Sequence, residues 1–187
     1  MNNSVTDDMI ARAQNGSPAD AGGLYQRHYL SIYRYLYYRT GDTLTAEDLT
    51  AEVFMRMVRA LPSYRFGVIP FQAWLFQIAR NVAIDHYRGS QHYPLVELDE
   101  NLDGDDPDLD SVIEYHLTSA HLVEGLKKIE ESQRDVLLLR FIEGMAINET
   151  ALILHKSVDA VKGLQRRGLQ ALKTLLYHLE VDRDGSK

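Results

Sequence analysis

Residues 91–125 carry ten acidic side chains and neither Lys nor Arg. This block separates two mildly basic ones, residues 24–90 and 126–173, each with a net charge of +3. Within and just before it, residues 89–110 are rich in Gly, Pro and Asp and show no apolar periodicity, which reads as a linker. A chain of 187 residues has room for one ordinary domain or two small ones, and this interruption favours two. The total charge of −7 argues against nucleic acid only until its distribution is considered. Fields fall off within about 8 Å in physiological salt, so a partner senses local charge.

On both sides of the acidic block the periodicity is helical. Ser17-Pro18 predicts a helix start, with Leu24, His28, Ile32 and Leu36 recurring every fourth residue to Arg39. Tyr25, Tyr29, Tyr33 and Tyr37 form a neighbouring stripe that reads as core packing with wet hydroxyls. Thr45 to Asp48 resembles a capping box, followed by an apolar stripe of Leu49, Val53, Met57 and Leu61 that Pro62 ends. After a loop at 63–70, the stretch FQAWLFQIARNVAIDHYR predicts a helix burying Phe71, Trp74, Leu75, Ile78 and Val82. Ser111 to Glu114 reads as a second capping box, opening a helix with Val112, Ser119, Leu122 and Leu126 inward. Ser132 is the expected cap of the next helix, which ends at Gly144. A short helix over 147–154 and a long one capped by Ser157 follow, the latter with Val161, Leu164, Leu172, Leu175 and Leu179 inward.

No run alternates like a strand, so the expected fold is all-α: two small helical domains on an acidic tether. The boundaries are 1–90, a linker at 91–110, 111–180, and a tail at 181–187. Cysteine is absent, which excludes disulfides and thiolate metal sites. No apolar run approaches the roughly 18 residues needed to span a bilayer. The polar N-terminus has no apolar signal core. The expectation is a soluble intracellular protein.

Several patterns carry chemistry. A short helix, a tight turn at His155-Lys156, a Ser cap and a longer helix fit a helix-turn-helix. The second helix presents Ser157, Lys162, Gln165, Arg166, Arg167 and Gln170 away from its apolar stripe, as donors for phosphates and base edges. A solvated helical hairpin is the plainer alternative. In the first half, Gln77, Arg80, Asn81, Ile84 and Arg88 share one strip with Phe76 and Tyr87 beside it. Cations beside stacking surfaces suit single-stranded nucleic acid, though a solvated face reads equally well. Asp48 and Glu52 are like charges four apart on one helix, mildly destabilising by roughly 0.2–0.5 kcal/mol. Arg56 offsets Glu52. Asp48 fits either a helix N-terminus or a docking site for a basic partner. DENLDGDDPDLD at 99–110 partly matches an EF-hand loop, which keeps a calcium-responsive adaptor as an alternative. Its last position is Asp rather than Glu, and Pro107 restricts it. No catalytic signature occurs, and neither a cofactor nor a resident metal is expected.

AEDLTAEVFMRMVRAL, FQAWLFQIARNVAIDHYR and SQRDVLLLRFIEG, with the helix-turn-helix through VKGLQRRGLQAL, resemble the extracytoplasmic-function (ECF) sigma factors of bacterial RNA polymerase. The resemblance covers roughly 20–90 and 115–176. It implies sigma domain two, a helical bundle, and sigma domain four. It places core polymerase docking, on the clamp helices of the largest subunit, at Asp48 and Glu52, with Arg56 beside them. It implies that the −10 element is melted and read as single strand by Tyr64, Arg65 and Phe66 of the loop and by Gln77, Arg80, Asn81 and Arg88. It assigns the −35 duplex to Ser157, Lys162, Gln165, Arg166 and Arg167. The family's tether runs near the RNA path, which its acidity suits. The family is commonly held by an anti-sigma factor. Ala51 stands where the family usually has Gln, Ala146 where it often has a Ser cap, His155 at a usual Gly, and Thr150 at a usual apolar residue. Gly163 and Gly168 are expected to loosen the last helix. Without polymerase, the same sequence also suits a plain helix-turn-helix regulator on a palindromic duplex.

Overall fold

The computed structural model describes residues 3–89 and 120–184. Among them are eight α-helices and no strand, as expected of an all-α chain. They form two compact units, one from 3–37 and 42–89, the other from 38–41 and 120–184. The linker at 91–110, its EF-like stretch, the capping box at 111–114, Val112 and Ser119 lie outside the described residues, as does the side chain of Leu179.

The first unit holds α1 (Asn3–Gln14), α2 (Pro18–Thr40) up to residue 37, α3 (Thr43–Ala60) and α4 (Phe71–Gly89). Helix α1 has no counterpart in the sequence reading: it buries only Ile10 and Ala13 among its described side chains, too sparse a pattern to show a period. Helix α2 starts where Ser17-Pro18 predicts, with the Asp20 N–H donating to Ser17 Oγ at 3.3 Å. Leu24, Ile32 and Leu36 are fully buried, together with Tyr35. The tyrosine stripe is a ladder on the flank of α2 rather than core. Tyr25 is 42% exposed, and the ring pairs Tyr29–Tyr33 and Tyr33–Tyr37 stack at 6.0 and 6.1 Å.

Two expectations shift for α3 and α4. The cap of α3 is Asp42, not Thr45: Asp42 is extended, and its Oδ1 accepts from the Thr45 N–H at 2.7 Å. An Asx cap three residues earlier satisfies an orphan amide of the first turn and leaves Thr45 inside the helix. Leu49, Val53, Met57 and Leu61 are buried as expected. A 3-10 turn, Leu61–Ser63, ends α3 at Pro62. In α4, Phe71, Leu75 and Val82 are buried, but Trp74 and Ile78 are only half-buried. Ala73, Phe76, Ala79 and Ala83 complete the inner face. The buried arc is rotated toward the small residues, which allow α3 and α4 to approach closely. Phe76 therefore sits in the core, edge-on to Tyr35 at 5.5 Å, and is no stacking surface for a base. Burying such a side chain is worth about 1.5–3 kcal/mol.

The second unit holds α5 (Ala120–Lys128), α6 (Glu131–Leu137), α7 (Ile147–Leu154) and α8 (Val158–Asp184). A π-helical segment, Leu138–Ile142, continues α6. The α6 cap is Glu130 rather than Ser132: its carboxylate accepts from the Ser132 and Gln133 N–H groups, both at 2.9 Å. Leu122, Leu126, Val136, Leu138, Val161 and Leu172 are core residues. Leu176 takes the inward place expected of Leu175, which is half-buried. A Cβ on Gly168 would lie 3.2 Å from Gln133 Cβ and 3.3 Å from Leu137 Cγ. Gly168 thus permits the close approach of α6 and α8 rather than loosening α8. Helix α8 continues to Asp184, into the span read as a tail.

Candidate nucleic-acid interface

The outer face of α3 carries Asp48, exposed, and Glu52, half-buried. Leu44, Met55 and Val58 are exposed on the same helix, at 72%, 49% and 52%, and give this face an apolar component that the sequence reading did not single out. These exposed hydrophobes at helical spacing beside carboxylates make one mixed apolar and acidic surface. Arg56 joins this face by an i,i+4 pair, its Nε donating to Glu52 Oε1 at 2.7 Å.

The loop between α3 and α4 is built on an aromatic cluster. Tyr64 is buried, with its ring 5.4 Å from Phe66, 5.5 Å from Phe71 and 5.1 Å from Trp74. Its hydroxyl donates to the Ile69 carbonyl at 2.9 Å, bridging the loop. Burial, aided by the negative charge of Asp7, pushes the phenol up, so it stays a donor. Gln14 of α1 braces the loop start, donating from Nε2 to the carbonyls of Leu61 (3.0 Å) and Tyr64 (2.8 Å). Tyr64 therefore holds the loop, while Arg65, Phe66 and Val68 are among the residues it exposes. Phe66 is 43% exposed, which leaves one part of its ring open to a base.

On α4, Asn81 and Arg88 are exposed, and Gln77, Arg80 and Ile84 are half-buried. Helical geometry puts Gln77, Asn81, Ile84 and Arg88 on the side opposite the buried Ala79, with Arg80 on one flank. Asp85, exposed on the other flank, was not singled out from the sequence. Its partner is Arg56 on α3, whose Nη1 donates to Asp85 Oδ2 at 2.8 Å. The 29-residue separation hides that pair from any local spacing rule.

In the second unit, α7 ends at His155 in the left-handed region, φ 53°, ψ 44°. The Lys156 N–H donates to the Ala151 carbonyl at 3.0 Å, a Schellman closure with His155 in the place that favours Gly. Ser157 Oγ then accepts from the Ala160 N–H at 3.2 Å, capping α8 as expected. At the start of α7, Ala146 supplies no side-chain cap. Glu149 Oε2 accepts from its N–H at 2.9 Å, giving half of a reciprocal box. Thr150 is fully buried, but its hydroxyl donates to the Ala146 carbonyl at 3.1 Å, so the polar atom is satisfied.

The helix-turn-helix exposes Ser157, Lys162, Arg166 and Arg167. Lys162 lies 3.5 Å from Asp159, a loose surface pair. Gln165 is half-buried, and its carbonyl oxygen accepts from Arg140 Nε at 3.3 Å. Arg140 also donates to the Met145 carbonyl, so it ties α8 to the turn before α7. Among the described residues no cluster of His, Asp and Glu could hold a metal ion, and no helix is long and apolar enough to cross a membrane.

Residues 24–93 match Sigma-70 region 2 and residues 125–174 match Sigma-70, region 4. The two stretches coincide with α2 to α4 and with the helix-turn-helix unit, and they define a sigma factor of the sigma-70 family. The ECF RNA polymerase sigma factor BldN of Streptomyces coelicolor is 37% identical over 172 residues, covering 90% of this chain and 65% of that protein. The chain thus spans just under two thirds of that relative. ECF RNA polymerase sigma factor SigX of Bacillus subtilis is 33% identical over 168 residues, 86% of this chain and 84% of that one. Among solved structures, CnrH in complex with the cytosolic domain of CnrY superposes with a TM-score of 0.70 at 26% identity, covering 91% and 96% of the two chains. The chain belongs to the ECF sigma factors.

Proposed function

We propose that this chain is a cytoplasmic alternative sigma factor that binds core RNA polymerase through α3, reads the melted −10 strand with the α3–α4 loop and α4, and reads the −35 duplex with α8. The observation that carries the reading is the pairing, within one unit, of the outward acidic and apolar face of α3 with the outward amide and arginine strip of α4. Two adjacent helix faces of opposite chemistry suit two different ligands at once.

Asp48 and Glu52, with Leu44, Met55 and Val58, form the polymerase-facing patch. Arg65 and Phe66 meet the displaced strand, with Tyr64 holding the loop beneath them. Gln77, Arg80, Asn81 and Arg88 follow the strand's phosphates and base edges. Lys162, Arg166 and Arg167 face the −35 major groove, and Ser157 at the α8 N-terminus is placed for a phosphate. The chain supplies recognition and melting and has no reaction of its own. An anti-sigma factor is a further expected partner.

The test is a binding and footprinting series with core polymerase. Asp48→Arg is expected to weaken polymerase binding by reversing the charge at the centre of the α3 face. Arg166→Ala is expected to weaken −35 recognition by about 1–3 kcal/mol at one base position. Tight binding of the free chain to a palindromic duplex, with no effect of polymerase, would instead establish a stand-alone regulator.

A further inference from the structure

Asp85 is out of place on a helix that reads a polyanion. It lies four residues after Asn81 and three before Arg88, so it flanks the strip proposed for the −10 strand. A carboxylate there repels phosphate unless its charge is spent elsewhere. Arg56 takes it up: Nη1 holds Asp85 on α4 at 2.8 Å, while Nε of the same guanidinium holds Glu52 on α3 at 2.7 Å. Two nitrogens of one rigid planar group thus fix carboxylates on two helices. The three side chains are 39%, 32% and 54% exposed, so the clasp sits at the rim of the α3–α4 contact, not in the core.

We infer that Arg56 and Asp85 are positioning residues for −10 strand reading, clasping α4 to the docking helix so that polymerase binding on α3 sets the orientation of the α4 strip. This rests on the proposed function above. Glu52 is the shared element: it belongs to the docking face and to the clasp. A lysine at 56 would keep the charge but, as a point charge on a flexible stem, could not hold both carboxylates in fixed geometry.

The experiment is a double-mutant cycle in the full chain reconstituted with core polymerase. Wild type, Arg56→Met, Asp85→Asn and the double variant are compared for open-complex formation on a duplex promoter at saturating polymerase. Thermal unfolding of each free chain reports stability separately. Exposed ion pairs of this kind correspond to about a two- to fivefold effect. Asp85→Asn is expected to lower open-complex formation by about that factor, although it removes a negative charge beside DNA. Arg56→Met should lower it at least as much, because it leaves Asp85 uncompensated. The double variant should fall no further than Arg56→Met, and Arg56→Lys should recover part of the loss. An increase with Asp85→Asn would overturn the clasp, since simple removal of repulsion predicts that sign. Fully additive losses would overturn it as well. Asp48→Arg in the same series separates the two readings. If it abolishes polymerase binding while the cycle is additive, only the clasp fails. If it leaves polymerase binding intact, the docking assignment fails and takes the clasp with it.

Discussion

Removing one oxygen atom, by Tyr64→Phe, tests how the loop that faces melted DNA is held. The ring stays among Phe66, Phe71 and Trp74, so the packing term is unchanged. What is lost is the 2.9 Å bond from the hydroxyl to the Ile69 carbonyl. A neutral bond of this kind contributes about 0.5–1.5 kcal/mol net. Ile69 is half-buried, so water can reach its freed carbonyl, which places the loss near 1 kcal/mol rather than at the full desolvation cost. The free energy of unfolding, from a denaturant titration, is expected to fall by that amount. Affinity of the holoenzyme for a premelted −10 strand should fall about fivefold, because 1 kcal/mol of loop order must be restored on binding. Affinity for core polymerase should not change. Phe66→Ala is the contrasting variant: its ring is 43% exposed, so stability falls only by its edge contact with Tyr64, but strand affinity drops by the roughly 1–3 kcal/mol of a lost stacking contact. Unchanged stability in Tyr64→Phe, or a loss of polymerase binding as large as the loss of strand binding, would refute the brace.

Four further outcomes are expected. Burial, with a smaller contribution from nearby Arg27, lowers His28 from its ordinary 6.5 to about 4. The unfolded chain takes up that proton first, so stability is full above pH 6.5 and declines as pH falls toward 4, by up to about 3 kcal/mol. Urea titrations across this window should show the wild-type slope exceed that of His28→Gln; equal slopes would exclude His28 as the cause. In the helix-turn-helix, Ala146→Ser adds the missing cap and is expected to stabilise by about 1 kcal/mol. His155→Gly relieves roughly 1–2 kcal/mol of left-handed backbone cost against about 0.5–1 of added chain entropy, a net gain of about 0.5–1, read as a higher denaturation midpoint. Glu130→Ala frees the Ser132 and Gln133 amides and is expected to cost about 0.5–2 kcal/mol, whereas Ser132→Ala should cost far less; a larger loss at Ser132 would restore it as the cap.

The helices from α2 onward were legible because their apolar residues recur every three or four positions and their ends carry Ser-Pro, Pro62, Gly144 and Ser157. Caps were less legible. Asp42 and Glu130 each reach forward to amides two or three residues on, but Thr45 and Ser132 offered equally good local patterns, and only backbone torsion separates them. Helix α1 was missed because its role, bracing Leu61 and Tyr64 through Gln14, depends on residues 47 and 50 positions away. On the candidate interface, the outward strip of α4 followed from periodicity, while Phe76 did not: the buried arc turns toward Ala73, Ala79 and Ala83, and Phe76 lies on their side of the helix. Tyr64 was legible as a loop aromatic but not as the loop's internal brace. The Arg56–Asp85 pair was invisible for the same reason as α1, since sequence spacing carries no record of contacts between helices.

Whether this chain directs core polymerase to promoters through two separate platforms is decided by reconstituted transcription with core enzyme on a randomised promoter library, followed by sequencing of transcript starts. The expected result is starts that appear only with this chain, share two motifs at fixed spacing, and vanish with Asp48→Arg. Transcript starts that are identical with and without the chain would contradict it.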